Sequence, residues 1–263
     1  MYVLKQIPSK TQIKKYIRLA IFGSNFHCPE CQSRRIEKYE SRYRCKTCRC
    51  KFSLISHTWL KGMKLSYSKF WLVLWCYVRK VPVKQSIDLT RLSEKAIRHW
   101  YALFRANLPV NDVILEGKIQ IDEAYSKGRA IIIGKQIGSK NLAWEVLNKN
   151  TVNQNDMVNF MIQYIKPRSR VQSDGAAIYK GSKKYWPYRH KNDNHSKWEF
   201  SLTSEIEGIF GNMRTFIRRM YHHSSPEKMP EYVSEFCVRF SSPEIFDSPL
   251  TFVQKTLRLV PSG

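Results

Sequence analysis

Acidic residues are scarce in this chain: 21 Asp+Glu stand against 45 Lys+Arg in 263 residues, a formal net charge of +24. Long apolar runs are missing as well. The longest candidate, Phe70 to Val78, is too short to span a bilayer and is flanked by Lys69 and by Arg79-Lys80. The opening residues are rich in Lys and lack the apolar block and small-residue cleavage site of a secretory signal. Neither a clear basic amphipathic helix nor a lipidation signal is visible, which removes the usual routes to a membrane surface. With 43% hydrophobic residues the chain is nevertheless globular rather than disordered, and long enough for two domains. A cytoplasmic, nucleoid-associated protein is expected.

The positive charge is uneven. Residues 1–110 hold 23 Lys+Arg and 5 Asp+Glu, a balance of +18, whereas residues 111–263 hold 22 and 16, a balance of +6. Charge so concentrated calls for a polyanionic partner, of which double-stranded DNA is the prime candidate.

Five of the seven cysteines fall between Cys28 and Cys50. Cys28-Pro29-Glu30-Cys31 and Cys45-Lys46-Thr47-Cys48 give C-x2-C-x13-C-x2-C, two knuckles whose thiolates can complete one tetrahedral zinc site. Four ligands close the shell, so this Zn²⁺ is expected to be structural. Cys50 and His27 are surplus candidates. Arms at 35–39 and 42–44 suit a short hairpin between the knuckles. Of the basic neighbours, Arg34, Arg42 and Arg44 are candidates for phosphate contacts. Cys76 and Cys237 stand alone in apolar surroundings and read as small buried residues.

Helical periodicity then recurs at 66–79, 83–89 and 93–105, with a break at Thr90-Arg91-Leu92 and Ser93 placed as an N-cap. Ala96, Ile97, Trp100, Leu103 and Phe104 form an apolar stripe, leaving Glu94, Lys95, Arg98 and His99 outward. A helix, a tight turn and a helix with a basic face fit a helix-turn-helix reader in which Lys95, Arg98 and His99 meet DNA; an ordinary helical bundle fits the same pattern.

After a linker at 109–116, strands are expected at 118–125, 129–137 and 142–147. A helix follows at 153–165, a fourth strand at 170–173, a short fifth at 188–191, and helices at 203–220 and 226–240. This is an α/β order with a mixed sheet flanked by helices, as in ribonuclease-H-like domains. In it the first and fourth strands lie side by side, so Asp122 and Asp174 meet across the sheet. Alternation puts Gln120 and Asp122 on one face and turns Glu123 away. Glu207 can lean in from the long helix, where Arg214, two turns on, shares its face; Glu205 is the alternative acid. Carboxylates converging in a basic protein can hold two Mg²⁺ or Mn²⁺ ions about 3.5–4 Å apart, an arrangement that cleaves phosphodiesters. Spacing alone equally allows Asp122 and Asp174 as turn residues and Glu207 as a solvated acid. Tyr185, Trp186 and Tyr188 could stack on a base, but core packing is preferred.

The order of these short motifs resembles DDE-type insertion-sequence transposases with an amino-terminal zinc ribbon, the ISXO2-like group related to the eukaryotic Merlin elements. The matching stretches are the two cysteine knuckles, Ile121-Asp122-Glu123-Ala124-Tyr125, Ser173-Asp174-Gly175-Ala176-Ala177-Ile178-Tyr179, Ile206-Glu207-Gly208-Ile209-Phe210 and Tyr221-His222-His223-Ser224-Ser225-Pro226. The resemblance implies that Asp122, Asp174 and Glu207 are the metal-binding triad and that Arg214 is the basic residue after the third acid. One departure stands out: the family often has His-Thr-Asn before the Ile-Glu pair, where this chain has Leu202-Thr203-Ser204, leaving Glu207, Glu205 or Ser204 for the third ligand.

The implied organisation is a basic segment (1–24), a zinc ribbon (25–58), a helix-turn-helix-like domain (59–108), a ribonuclease-H-like catalytic domain (109–240) and a tail (241–263). The implied function is binding of an element's terminal inverted repeats, followed by metal-dependent cleavage and strand transfer into target DNA, as a homodimer or higher assembly. The rival readings are a non-catalytic DNA-binding regulator and a structure-selective nuclease of the same fold.

Overall fold

The computed structural model describes residues 7–110, 112–174, 177–179, 184–192, 204–222 and 224–260. In chain order its elements are α1 (Lys10–Phe22), β1 (Ile36–Tyr39), β2 (Arg42–Cys45), β3 (Lys51–Phe52), α2 (Tyr67–Val78), α3 (Val83–Thr90), α4 (Glu94–Ala106), β4 (Lys118–Ser126), β5 (Arg129–Gln136), β6 (Leu142–Val146), α5 (Gln154–Tyr164), β7 (Arg170–Ser173), β8 (Arg189–Asn192), α6 (Ser204–Tyr221), α7 (Met229–Ser241) and α8 (Pro249–Thr256). They form two compact units, one of Met1–Leu108 with Glu244–Gly263, the other of Pro109–Pro243.

In the first unit, serines start the helices. Ser9 forms a capping box with Gln12, and Ser66 and Ser93 each accept the N–H three residues on, satisfying donors the helix cannot. The core is aromatic: the Tyr77 ring lies 5.1 Å from both Tyr101 and Phe104 and 5.8 Å from Phe252. Residues 241–263, expected to be a tail, instead contribute α8, which packs on α1 and α2. Its Phe252 and Val253 are fully buried, so the stretch belongs to the core because its apolar face has no other cover. The ribbon is an antiparallel sheet in the order β1-β2-β3, one strand more than the expected hairpin. It closes over Phe22, Cys28, Cys45, Phe52 and Leu54.

The turn between α3 and α4 is tight because Arg91 takes a left-handed conformation (φ 56°) and ends α3, after which Ser93 caps α4. Tyr101 is buried with Ile97, Trp100 and Phe104; its hydroxyl donates to the Val81 carbonyl and bonds the Ser86 hydroxyl at 2.7 Å.

The second unit holds a five-stranded sheet in the order β6-β5-β4-β7-β8. β4, β5 and β6 are antiparallel neighbours; β7 runs parallel to β4, and β8 parallel to β7. This mixed order is the one expected of a ribonuclease-H-like domain. β4 and β5 join through Lys127 and Gly128, both at positive φ (50° and 72°), the conformation that a twisted two-residue hairpin requires. One sheet face carries Ile119, Ile121, Ala130, Ile132 and Val171 against Met157, Phe160 and Met161 of α5. Gly134 lies on that face, where a Cβ would come 2.8 Å from Leu115 Cδ1, so the close packing there requires glycine. α6 packs on β4 and β5, and α7 on β6 and α6. Among the described residues no helix is long and apolar enough to cross a membrane.

Candidate functional site

Metal-ligating side chains gather in the ribbon. Cys28, Cys31, Cys45 and Cys48 bring their sulfurs within 4.8 Å of one another. Cys28 and Cys48 are 3.6 Å apart, as are Cys31 and Cys45, close to the spacing of about 3.8 Å between sulfurs at the corners of a tetrahedral zinc site. The knuckles set this geometry: Gln32 and Arg49 take positive φ (58° and 61°), and the Cys45 N–H bonds the Cys50 carbonyl at 2.9 Å. The Cys48 N–H points at the Cys45 sulfur and holds that thiol down to about 6, towards the thiolate a metal requires. Cys50 stands outside the four, and His27 instead meets the Asn25 carbonyl at 2.8 Å. Cys76 and Cys237 are fully buried, and burial pushes both thiols up.

Asp122, Asp174 and Glu207, expected to meet, lie in the other unit and do not form such a group among the described residues. Gln120 pairs with Gln172 in the parallel register of β4 and β7, and continuing that register two residues sets Asp122, midway along β4, level with Asp174, one residue past the end of β7. Asp122 pairs with Ile133 and Gln120 with Lys135 across β5. These residues share the face covered by α6, because the buried Gln120 amide oxygen accepts the Ile206 N–H at 3.2 Å. That bond fixes the first turn of α6 to β4 and holds Glu207 on the helix beside the strand bearing Asp122. Glu207 and Arg214 are both exposed, whereas Ile206, Ile209, Phe210, Met213 and Ile217 are buried. Glu205 is engaged elsewhere: Lys135, only 4% exposed, reaches it at 3.8 Å. Of the two acids that the sequence offers on this helix, Glu205 is the one that this lysine meets.

Glu123 occupies the opposite face, paired with Ile132. It is half-buried and its carboxylate accepts from the Tyr179 hydroxyl at 3.3 Å. Burial first, then the negative charges of Asp174 and Asp122, push its carboxyl up to about 7. Sequence reasoning set Glu123 aside because it points away from Asp122; the structure shows that it still shares an electrostatic field with both aspartates. Tyr179, in a short helical turn between β7 and β8, carried no sequence signal for this contact. Its ring lies 5.6 Å from His190, whose Nε2 meets the Ser173 hydroxyl at 2.8 Å, next to Asp174. Three acids within one field repel one another, and a bound divalent cation would remove that cost. The carboxylates are hard oxygen donors suited to Mg²⁺ or Mn²⁺, and the four thiols suit Zn²⁺. Gly175, Ala176, Leu202, Thr203 and His223, which carry parts of the sequence motifs, lie outside the described residues, as does the side chain of Ser204.

The aromatic residues at 185–188 divide. Tyr188 is buried, and Trp186 packs on the core and donates its indole N–H to the Ile165 carbonyl at 3.1 Å; Tyr185 is exposed. The basic candidates divide as well. Arg34, Arg42, Lys95 and His99 are exposed. Arg44 is bound to Glu37 at 2.5 Å and lies 5.0 Å over the Tyr39 ring, and Arg98 is bound to Glu94 at 2.7 Å.

With this geometry established, residues 114–241 match the family of the ISXO2-like transposase domain. No curated protein matches the chain. Among solved structures, a chain of the simian T-cell lymphotropic virus intasome in complex with PP2A regulatory subunit B56 gamma aligns at 10% identity over 64% of this chain and 67% of its own, with a TM-score of 0.35. The catalytic core domain of BIV integrase aligns at 11% identity over 47% of this chain and 82% of its own, with a TM-score of 0.34.

Proposed function

We propose that this chain, which carries an ISXO2-like transposase domain across residues 114–241, is a DDE transposase that binds the terminal inverted repeats of a mobile element and cleaves and joins DNA strands. The supporting observation is the parallel pairing of β4 and β7 beneath α6 within the matched domain, whose register carried two residues on sets Asp122 beside Asp174. Asp122, Asp174 and Glu207 would hold two Mg²⁺ or Mn²⁺ ions, which when bound activate the attacking oxygen and stabilise the leaving one. The protein's own part is positional. β4 and β7 fix the two aspartates, and the bond from Ile206 N–H to Gln120 keeps α6, and with it Glu207, in place. Arg214, exposed two turns along α6, would meet a DNA phosphate.

Both reactions are in-line displacements at phosphorus. In the first, water attacks and the 3′ oxygen of the element leaves; in the second, that 3′-hydroxyl attacks a target phosphodiester, whose own 3′ oxygen leaves. The proton lost by the attacking oxygen passes to solvent and the leaving oxygen regains one, so neither step needs an oxidant or cofactor turnover.

DNA recognition falls to the first unit in this reading. Its ribbon would hold one structural Zn²⁺ on Cys28, Cys31, Cys45 and Cys48. Arg34, Arg42 and Arg44 would contact phosphates, and α3 and α4 would act as a helix-turn-helix presenting Lys95, Arg98 and His99 to a groove. Joining two element ends calls for at least a homodimer on DNA, acting in the cytoplasm on the nucleoid. The test is a strand-transfer assay with the inverted repeats that flank the gene and Mg²⁺ or Mn²⁺. Metal-dependent joining lost in Asp122→Ala and Asp174→Ala supports the reading; normal joining by those variants removes the triad assignment. Absence of flanking repeats would favour a regulator or a nuclease.

A further inference from the structure

A second cluster of unlike metal donors lies beside the four ribbon thiols. Glu30, from the first knuckle, Cys50, just past the second, and His57, from the loop after β3, bring one ligand atom each within 4.8 Å of one another. His57 Nδ1 is 3.5 Å from Glu30 Oε1. Cys50 and His57 are half-buried and Glu30 is exposed, so the cluster opens to solvent on one side. The backbone around it is itself fixed. The Cys50 carbonyl accepts the Cys45 N–H at 2.9 Å, and the His57 carbonyl accepts the Val260 N–H at 2.8 Å. The loop carrying His57 is pinned on either side by Ser53 N–H to the Ser56 hydroxyl at 3.1 Å and by the Thr58 hydroxyl to the Ile55 carbonyl at 2.9 Å.

We infer that Glu30, Cys50 and His57 form a second metal site, distinct from the four-thiol site, for a zinc-class divalent cation. Sulfur, imidazole nitrogen and carboxylate oxygen together select Zn²⁺, Co²⁺ or Cd²⁺ over Mg²⁺. Three protein ligands leave the fourth tetrahedral position to water or another small ligand, unlike the closed shell of four thiolates. The charges balance. One thiolate, one carboxylate and a neutral imidazole cancel a divalent cation, while four thiolates around Zn²⁺ leave a net charge of −2 next door that favours a second cation. On binding, the Cys50 thiol releases its proton to solvent as the metal–sulfur bond forms, and nothing is oxidised or reduced. The alternative is a simple His57–Glu30 ion pair beside an inert cysteine.

Cobalt titration of the full-length chain in excess Mg²⁺ separates the two, because thiolate-to-cobalt absorption reports only sulfur-bound metal and ignores the carboxylates. The wild-type chain gives two steps, the second smaller. Cys50→Ser and His57→Ala each lose the second step and keep the first, with the affinity of the second site falling by more than about 100-fold, since even groups that merely orient a ligand are worth 10–100-fold. A single step in the wild-type chain, or a second step unchanged in both variants, overturns the proposal. Loss of both steps in Cys50→Ser with His57→Ala unaffected also overturns it, by placing Cys50 in the first site. A measurement without substitution stands beside these. With one equivalent of Zn²⁺ already bound, a second equivalent slows iodoacetamide alkylation of Cys50, read by peptide mass spectrometry, by about 10-fold or more; an unchanged rate overturns the proposal.

Discussion

The four ribbon thiols and the acids Asp122, Asp174 and Glu207, the two donor sets of the proposed function, are built in opposite ways. The sulfurs stand within 4.8 Å of one another, two of them on buried residues, with knuckle N–H groups already directed at them. The carboxylates come from β4, the end of β7 and α6, and Glu207 is exposed. A closed, preassembled shell suits an ion that never leaves and supplies folding energy. An open set of like charges on separate elements suits ions that arrive with a phosphate, which completes their coordination. Beside them Glu123 is pushed up to about 7, by burial first and then by its neighbours Asp174 and Asp122.

Four measurements would break or sharpen this contrast. Stripping zinc should have the largest effect. Structural zinc sites in isolated fingers are worth on the order of 10 kcal/mol, so chelation should remove hydrogen-exchange protection from residues 28–52 while residues 118–136 keep theirs. Equal loss in both regions would erase the distinction. Asp122→Ala or Asp174→Ala should come next, lowering strand transfer by at least about 1,000-fold, the several kcal/mol expected of metal-borne charge stabilisation, with the melting temperature and DNA affinity kept. A variant that unfolds would instead make the acids structural. On α6, Glu207→Gln should lower strand transfer by more than about 10-fold, whereas Glu205→Gln, whose partner is Lys135, should leave it within about threefold; the reverse ranking would exchange the two acids. The smallest effect concerns salt. Arg34→Ala should reduce the slope of log affinity against log salt by about one contact, and Arg44→Ala by less, because Glu37 already engages it. Identical slopes would mean that the Arg44–Glu37 pair opens on DNA.

Much of the second unit was legible because local pattern and tertiary packing agree there. Ile119 and Ile121 alternate with Gln120 and Asp122, and β4 places the first pair in the core against α5 and the second towards α6. Arg170–Ser173 was readable at its full length because the turn residues Pro167-Arg168 and the acid Asp174 bound it. Less legible was anything that depends on a distant partner. The Tyr179 hydroxyl meets Glu123 across 56 residues, and Gln120 holds α6 across 86. Neither pair has a local signature, because a tyrosine in a short turn and a glutamine in a strand are ordinary in isolation. β3 is two residues long and exists only because β2 offers it an edge. Glu30 and His57 could not be joined to Cys50 by spacing, since the loop that brings His57 back is set by its own serine and threonine turns.

The placement of α8 has a consequence for how the chain matures on the ribosome. Phe252 and Val253 complete a core begun by Ile13 and Ile17 of α1, which shares contacts with α8. The first unit is therefore discontinuous, with all of residues 109–243 made between its halves. Domains usually fold in the order in which they emerge; here the later-starting unit is contiguous and can close first. The helices ahead of it must keep an apolar face open until α8 is released. A chain assembled in that order would complete its first unit only after its second had been made, so a product cut short before α8 could fold its five-stranded sheet yet lack a completed first unit.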